Sequence, residues 1–112
     1  MEEHLLDLPY EEFWVILLNR ANTVIKKELI SRGGINGTVA DVRLILKTAI
    51  ENLASSIILF HNHPSGQLKP SKQDLDLTKK IIDGAKILDI SVFDHIIFCQ
   101  DEYFSFADNN IL

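Results

Sequence analysis

Ser56-Ile57-Ile58-Leu59-Phe60-His61-Asn62-His63-Pro64-Ser65-Gly66 is the stretch around which this chain is organised. An apolar run, residues 56–60, reads as a strand and stops at two histidines separated by one residue. Side chains on a strand alternate with period two, so His61 and His63 point the same way from the strand end. Imidazole is the commonest neutral metal ligand. A carboxylate, Asp74, follows in the segment Pro70-Ser71-Lys72-Gln73-Asp74, eleven residues after His63. Two histidines and one carboxylate are the protein ligands of an open, hydrolytic zinc site whose fourth position is left to water.

Working outward, the N-terminal side holds Phe13-Trp14-Val15-Ile16-Leu17-Leu18, a continuous apolar run typical of a strand buried on both faces. Asn19-Arg20-Ala21-Asn22 reads as a turn and residues 23–31 as a second strand, so the two form a hairpin. Lys26, Lys27 and Glu28 place that second arm near an edge. Gly33-Gly34-Ile35-Asn36-Gly37 is a loop. From residue 41 the period changes: Val42, Ile45, Leu46, Ala49, Ile50 and Leu53 recur at helical spacing, predicting a helix over 41–53 capped by Asp41 or Thr38. Lying between strands, that helix suggests a crossover to a parallel neighbour.

On the C-terminal side a second helix opens at Ser71 and ends near Asp89. Leu75, Thr78, Ile81, Ile82, Ala85 and Leu88 form its stripe. Residues 91–99 are another apolar strand, interrupted by Asp94-His95; 100–102 turn, and 103–106 form a short last strand. The expected fold is α/β, a mixed β-sheet flanked by helices in the order β-β-α-β-α-β-β, with one domain over 1–112 and its core over 11–106.

Composition narrows the function. A chain of 112 residues that is 46% apolar can bury a single core. A net charge of −5 does not favour nucleic acid as a partner. Cys99 is the one cysteine, which excludes an internal disulfide and a multi-cysteine zinc cage. Apolar runs fall far short of the roughly 20 residues needed to span a bilayer. The acidic start Met1-Glu2-Glu3-His4 lacks the positive region of a signal peptide. A soluble, cytoplasmic domain is expected.

A hydrolytic metal site also needs a base for the water's proton and a donor facing the developing oxyanion. Ser71, one helical turn before Asp74, is close enough to be that donor. The acidic pair Glu11-Glu12, at the mouth of the first buried strand, is the best source of the base, since a charge there is costly unless the position is open or functional.

At these residues the chain resembles a known family. His61-x-His63-Pro64, seven intervening residues, then Ser71-x-x-Asp74 is similar to the signature of the JAMM/MPN+ (JAB1/MPN) metalloproteases. The longer string through Gly66, with Val92-Phe93-Asp94-His95-Ile96-Ile97, resembles the bacterial RadC branch over residues 11–106. The resemblance implies a cytidine-deaminase-like fold and Zn2+ held by His61, His63 and Asp74. It implies that Ser71 helps to bind water and stabilise the tetrahedral intermediate. It puts the catalytic glutamate at Glu11, with Glu12 as the alternative register. It implies cleavage of peptide or isopeptide bonds, hence a protein or peptide substrate. Two departures matter. The helix-hairpin-helix region of full-length RadC proteins is absent here, so DNA binding inferred from it does not transfer. The Val-His-Pro usual in this branch before the first helix reads Val39-Ala40-Asp41, so that histidine's role is lost.

Plainer readings stand beside these. Ser71 and Asp74 by themselves are a helix cap, and both roles can coexist. Asp94 and His95 read as structural residues bonded within the sheet. Cys99 reads as core, Trp14 as core or interface rather than a binding platform, and His4 as irrelevant. A non-catalytic module is the competing function, discriminated by whether Glu11 is needed. A nuclease is suggested only by the literal His61-Asn62-His63 string, which nuclease motifs spread over a longer unit. A cytidine deaminase lacks support because its Pro-Cys-x-x-Cys pair is missing.

Overall fold

The computed structural model of the chain describes residues 8–33, 40–64 and 66–112. In order, the elements are β1 (Glu12–Leu18), β2 (Val24–Arg32), α1 (Val42–Glu51), β3 (Ser56–Asn62), α2 (Lys72–Ile87), β4 (Ser91–Cys99) and β5 (Glu102–Ser105). The strands form one mixed sheet in the order β2-β1-β3-β4-β5, antiparallel throughout except for the parallel pair β3/β4. This is the element order and class that the apolar periods predict.

β1, with no polar residue after Glu12, takes an interior place between β2 and β3. The expected hairpin forms because Asn19 Oδ1 accepts from the backbone N–H groups of Ala21 and Thr23, and Asn22 adopts a left-handed φ of 62°. β2 lies at the edge, where its lysines reach solvent. The crossover differs from expectation. Because β2 and β3 both run antiparallel to β1, they are parallel to one another but not adjacent, so α1 carries the chain past β1. The adjacent parallel pair is instead β3/β4, joined through α2.

Asp41 caps α1, its side chain accepting from Arg43 N; Thr38 lies outside the described residues. The helix stops at Glu51, short of the expected residue 53. Leu53 has φ 51° and is 84% exposed, so the turn into β3 takes the last residue of the predicted stripe out of the core. Ile50, 48% exposed, is likewise peripheral.

Both helices cover one face of the sheet. There Phe13, Val15 and Leu17 of β1 and Ile57 and Leu59 of β3 pack with Ile45 and Ala49 of α1 and Ile81 and Ala85 of α2. Burial of each large aliphatic side chain there contributes about 1.5–3 kcal/mol. On the other face Ile16, Leu18, Phe60 and Phe98 form a smaller cluster, with Leu8 and Trp14 against it. Cys99 is buried, as expected of a core residue. Among the described residues no helix is long and apolar enough to cross a membrane.

Candidate metal centre

The alternation of β3 decides where the histidines point. Ile57 and Leu59 face the helices, so His61, next in that series, does too, with 2% exposure. Its ring stacks on Phe13, its partner across β1/β3, at 5.5 Å. His63 lies just past the strand end. Its backbone N–H donates to Phe98 O, and its Nδ1–H donates to Gln67 O at 2.7 Å, which fixes the ring. Gly66, with φ 93°, allows the tight turn between these bonds.

Asn62, between the two histidines, is buried and points elsewhere. Its Oδ1 accepts from Glu12 N at 2.7 Å and its Nδ2 donates to Tyr10 O at 2.8 Å. Those backbone groups flank Glu11 on either side. The residue separating the histidines therefore fastens the segment that carries Glu11. Nothing in the apolar pattern marked it, because a buried Asn in a turn motif reads as a turn residue.

Asp74 arrives from α2. Ser71 Oγ accepts from Asp74 N at 3.1 Å, and Asp74 Oδ2 accepts from Ser71 N at 2.8 Å, a capping box with Asp in the third position. The cap aims the same carboxylate at the histidines: Oδ1 lies 3.3 Å from His61 Nε2 and Oδ2 3.1 Å from His63 Nε2. The two Nε2 atoms are 2.9 Å apart, and Glu11 Oε1 is 3.7 Å from His63 Nε2. Glu11, His61 and His63 bring ligand atoms within 4.8 Å of one another. The structure thus gathers His61, His63, Asp74 and Glu11 and leaves Ser71, exposed, at the helix cap.

The neighbouring Glu12 is fully buried and committed in another direction. Arg32 approaches its Oε2 through Nε at 2.8 Å and a terminal guanidinium nitrogen at 2.7 Å, and Trp14 Nε1 donates to Oε1. Strand alternation separates the two glutamates, and Glu11 is the one beside the histidines.

These residues could hold a metal ion. Ligands about 2.0–2.2 Å from a tetrahedral ion stand roughly 3.3 Å apart; the two Nε2 atoms are 2.9 Å apart, with Asp74 Oδ1 3.3 Å from that of His61 and Oδ2 3.1 Å from that of His63. His63 uses its Nδ1 proton on Gln67 O, so the neutral ring presents a bare lone pair at Nε2. The same groups also attract one another through protons. Burial disfavours charge on Asp74, but the two imidazoles beside it, in their protonated forms, outweigh that and hold the carboxyl well below the usual range. Burial likewise opposes charge on His63, yet Asp74, then Gln67 O and Glu11, raise its pKa overall.

His95 was expected to be a structural residue of the sheet. It is buried and bonded to the neighbouring strand as expected, and its ring also touches the candidate site: Nε2 lies 2.7 Å from His61 Nδ1, and Nδ1 lies 2.6 Å from Thr78 Oγ1. Burial, then the charge of His61, pushes its pKa well below the ordinary value. The reason it was hidden is a bulge. Val92 packs on the helix-covered face and Ile96 on the other, so strict alternation from Val92 turns His95 away from the helices. The β3/β4 register slips between Ile57 and Ile58, opposite Val92 and Asp94, and the extra residue Phe93 reverses the alternation.

Comparison with known proteins gives the family. The family model of the RadC-like JAB domain matches residues 1–111. A protein of Flavobacterium johnsoniae named "UPF0758 protein" is 51% identical over 105 residues, covering 94% of this chain and 46% of that protein. One of the same name from Porphyromonas gingivalis is 51% identical over 109 residues, 96% of this chain and 48% of the relative. A third, from Desulforamulus reducens, is 42% identical over 110 residues, 98% and 48% of the two chains. The chain thus spans about half the length of the curated relatives it matches. A family match over nearly every residue, together with a His, His and carboxylate cluster at the end of β3, places the chain in the RadC-like JAB domain family.

Proposed function

We propose that this domain is a zinc-dependent hydrolase of the JAMM type that cleaves a peptide or isopeptide bond. The carrying observation is the convergence of His61 Nε2, His63 Nε2 and the Asp74 carboxylate beside Glu11. His61, His63 and Asp74 are the ligands in this reading, an imidazole and carboxylate set that suits zinc. Zinc, when bound, supplies Lewis acidity and lowers the pKa of water toward ~7.

The chain's own residues supply the rest. Glu11 takes the proton of the attacking water and passes it to the leaving amine. Ser71 donates its hydroxyl proton to the developing oxyanion, the oxygen itself being held by Asp74 N–H. Asn62 holds Glu11 in reach through the backbone on both sides of it. A protein or peptide is the substrate in this reading.

The test has two stages. Native mass spectrometry of the purified chain is expected to find a single zinc, lost in His63→Ala and in Asp74→Ala. Absence of zinc from the unaltered protein would overturn the reading. Glu11→Gln is expected to keep the zinc and to lose cleavage of a peptide library digested by the parent protein. A Glu11→Gln variant that cleaves as well as the parent removes Glu11 from the mechanism. Full biological function in that variant would point to a non-catalytic module.

A further inference from the structure

The hydrogen positions of a buried chain of four groups can be assigned from its one-proton members. Thr78 has a single hydroxyl proton, and its Oγ1 donates it to Asp74 O at 2.7 Å, one helical turn back. Thr78 Oγ1 can then only accept from His95 Nδ1, 2.6 Å away, so that nitrogen carries the proton. The other ring nitrogen of neutral His95, Nε2, is left as an acceptor. His61 Nδ1, 2.7 Å from it, must therefore be the donor. With its proton on Nδ1, neutral His61 bears its lone pair on Nε2, the atom facing His63 and Asp74. Each proton in the chain has one place, and the last bond returns to the backbone of Asp74.

We propose that His95 is a positioning residue that locks His61 in the tautomer whose Nε2 lone pair faces the metal, with Thr78 tying that lock to the helix turn that presents Asp74. The proposal rests on the metal-site reading given above. Metal-binding imidazoles generally donate their second N–H to a carboxylate, a carbonyl or water. Here the acceptor is a second imidazole, and the packing explains how it serves. His95 is fully buried, with Phe106 stacked on it at 4.4 Å and the edge of Phe13 at 5.5 Å. Phe13 also stacks on His61, so the two rings are held by one aromatic wall. Water is kept from the His61–His95 bond, which prevents it from exchanging the acceptor for a donor.

The test measures zinc affinity by competition with a chromophoric chelator in the intact chain. His95→Phe keeps the ring packing and removes the acceptor; zinc binding is expected to weaken about tenfold to a hundredfold. His95→Gln offers an amide oxygen to His61 and an amide N–H to Thr78, and is expected to restore much of the affinity. Thr78→Val, which frees His95 to change tautomer, is expected to weaken binding by less than His95→Phe. Nitrogen-15 spectra of the unaltered protein are expected to place the His61 proton on Nδ1. Zinc binding by His95→Phe equal to that of the parent overturns the proposal, as does a His61 proton on Nε2. If His95→Phe does not fold, Thr78→Val and the His61 tautomer decide in the same way. A parent chain that binds no zinc overturns the metal site itself, a result distinct from either of these.

Discussion

Asp74 answers to Ser71 and to both histidines with one carboxylate. Its Oδ2 closes the cap of α2 by accepting from Ser71 N at 2.8 Å, and the same oxygen faces His63 Nε2 at 3.1 Å. The cap makes the carboxylate rigid, and the histidines keep it ionised. The pKa directions fix how this pair responds to pH. Asp74 is depressed, so its contribution to stability is present above the ordinary carboxylate range and is lost as pH falls through the depressed value. His63 is raised, so in metal-free protein its contribution is present below its ordinary pKa and is lost as pH rises through the raised value. In the proposed zinc site His63 binds as the neutral ring, which reverses that trend because protons then compete with the ion. Chelator-treated protein is accordingly expected to have a lower urea midpoint at about pH 8 than at about pH 6, while zinc affinity rises over the same interval. Parallel slopes with and without zinc would show that His63 is not a ligand.

At the scale of the element, the bulge in β4 matters as much as any ligand, since it turns His95 toward His61. Asp94 pins it. One carboxylate oxygen accepts from His95 N at 2.7 Å and from Ala107 N at 2.9 Å, and the other accepts from Ser105 Oγ at 2.5 Å. Asp94→Ala is expected to cost about 1.5–3 kcal/mol of stability, the range for lost bonds to a charged group, and to weaken zinc binding through His95. Asp94→Asn retains an acceptor oxygen and is expected to fall between. A urea midpoint unchanged in Asp94→Ala would show that the bulge holds itself. This element also explains what the sequence could and could not reveal. The His61/His63 pair and the Ser71–Asp74 cap are local patterns, readable from spacing alone. Glu11 was readable through the family resemblance, and its segregation from Glu12 follows from strand alternation. His95 was not readable, because one inserted residue inverts the period-two rule and no residue type marks where it lies. Thr78 had a place in the stripe of α2 as a core position, and only the His95 ring beside it gives its hydroxyl a further role.

At the scale of the molecule, the candidate centre is drawn from the start of β1, the end of β3, the first turn of α2 and the middle of β4. The parallel pair explains the meeting. β3 and β4 run the same way with α2 between them in the chain, so α2 begins at the end of the sheet where β3 finishes. Antiparallel β1 starts at that same end, Phe13 opposite His61, which brings Glu11 there. Strand order was the part of the fold that apolar runs could not state, because each run is compatible with several neighbours. A site made from distant segments exists only in the folded chain, so metal binding and folding are linked. Ile45 separates the two effects: it is fully buried in the core under α1 and belongs to none of the segments that form the site. Ile45→Ala is expected to lower stability by about 2–5 kcal/mol through the cavity it leaves, with the zinc affinity of the folded protein unchanged. Zinc at a hundred times its Kd is then expected to add about 2.7 kcal/mol to the parent and to Ile45→Ala alike. His63→Ala, tested at the same zinc concentration, is expected to gain far less. Urea titrations with and without zinc give all three increments, and an equal gain in His63→Ala would place the bound ion somewhere other than the end of β3.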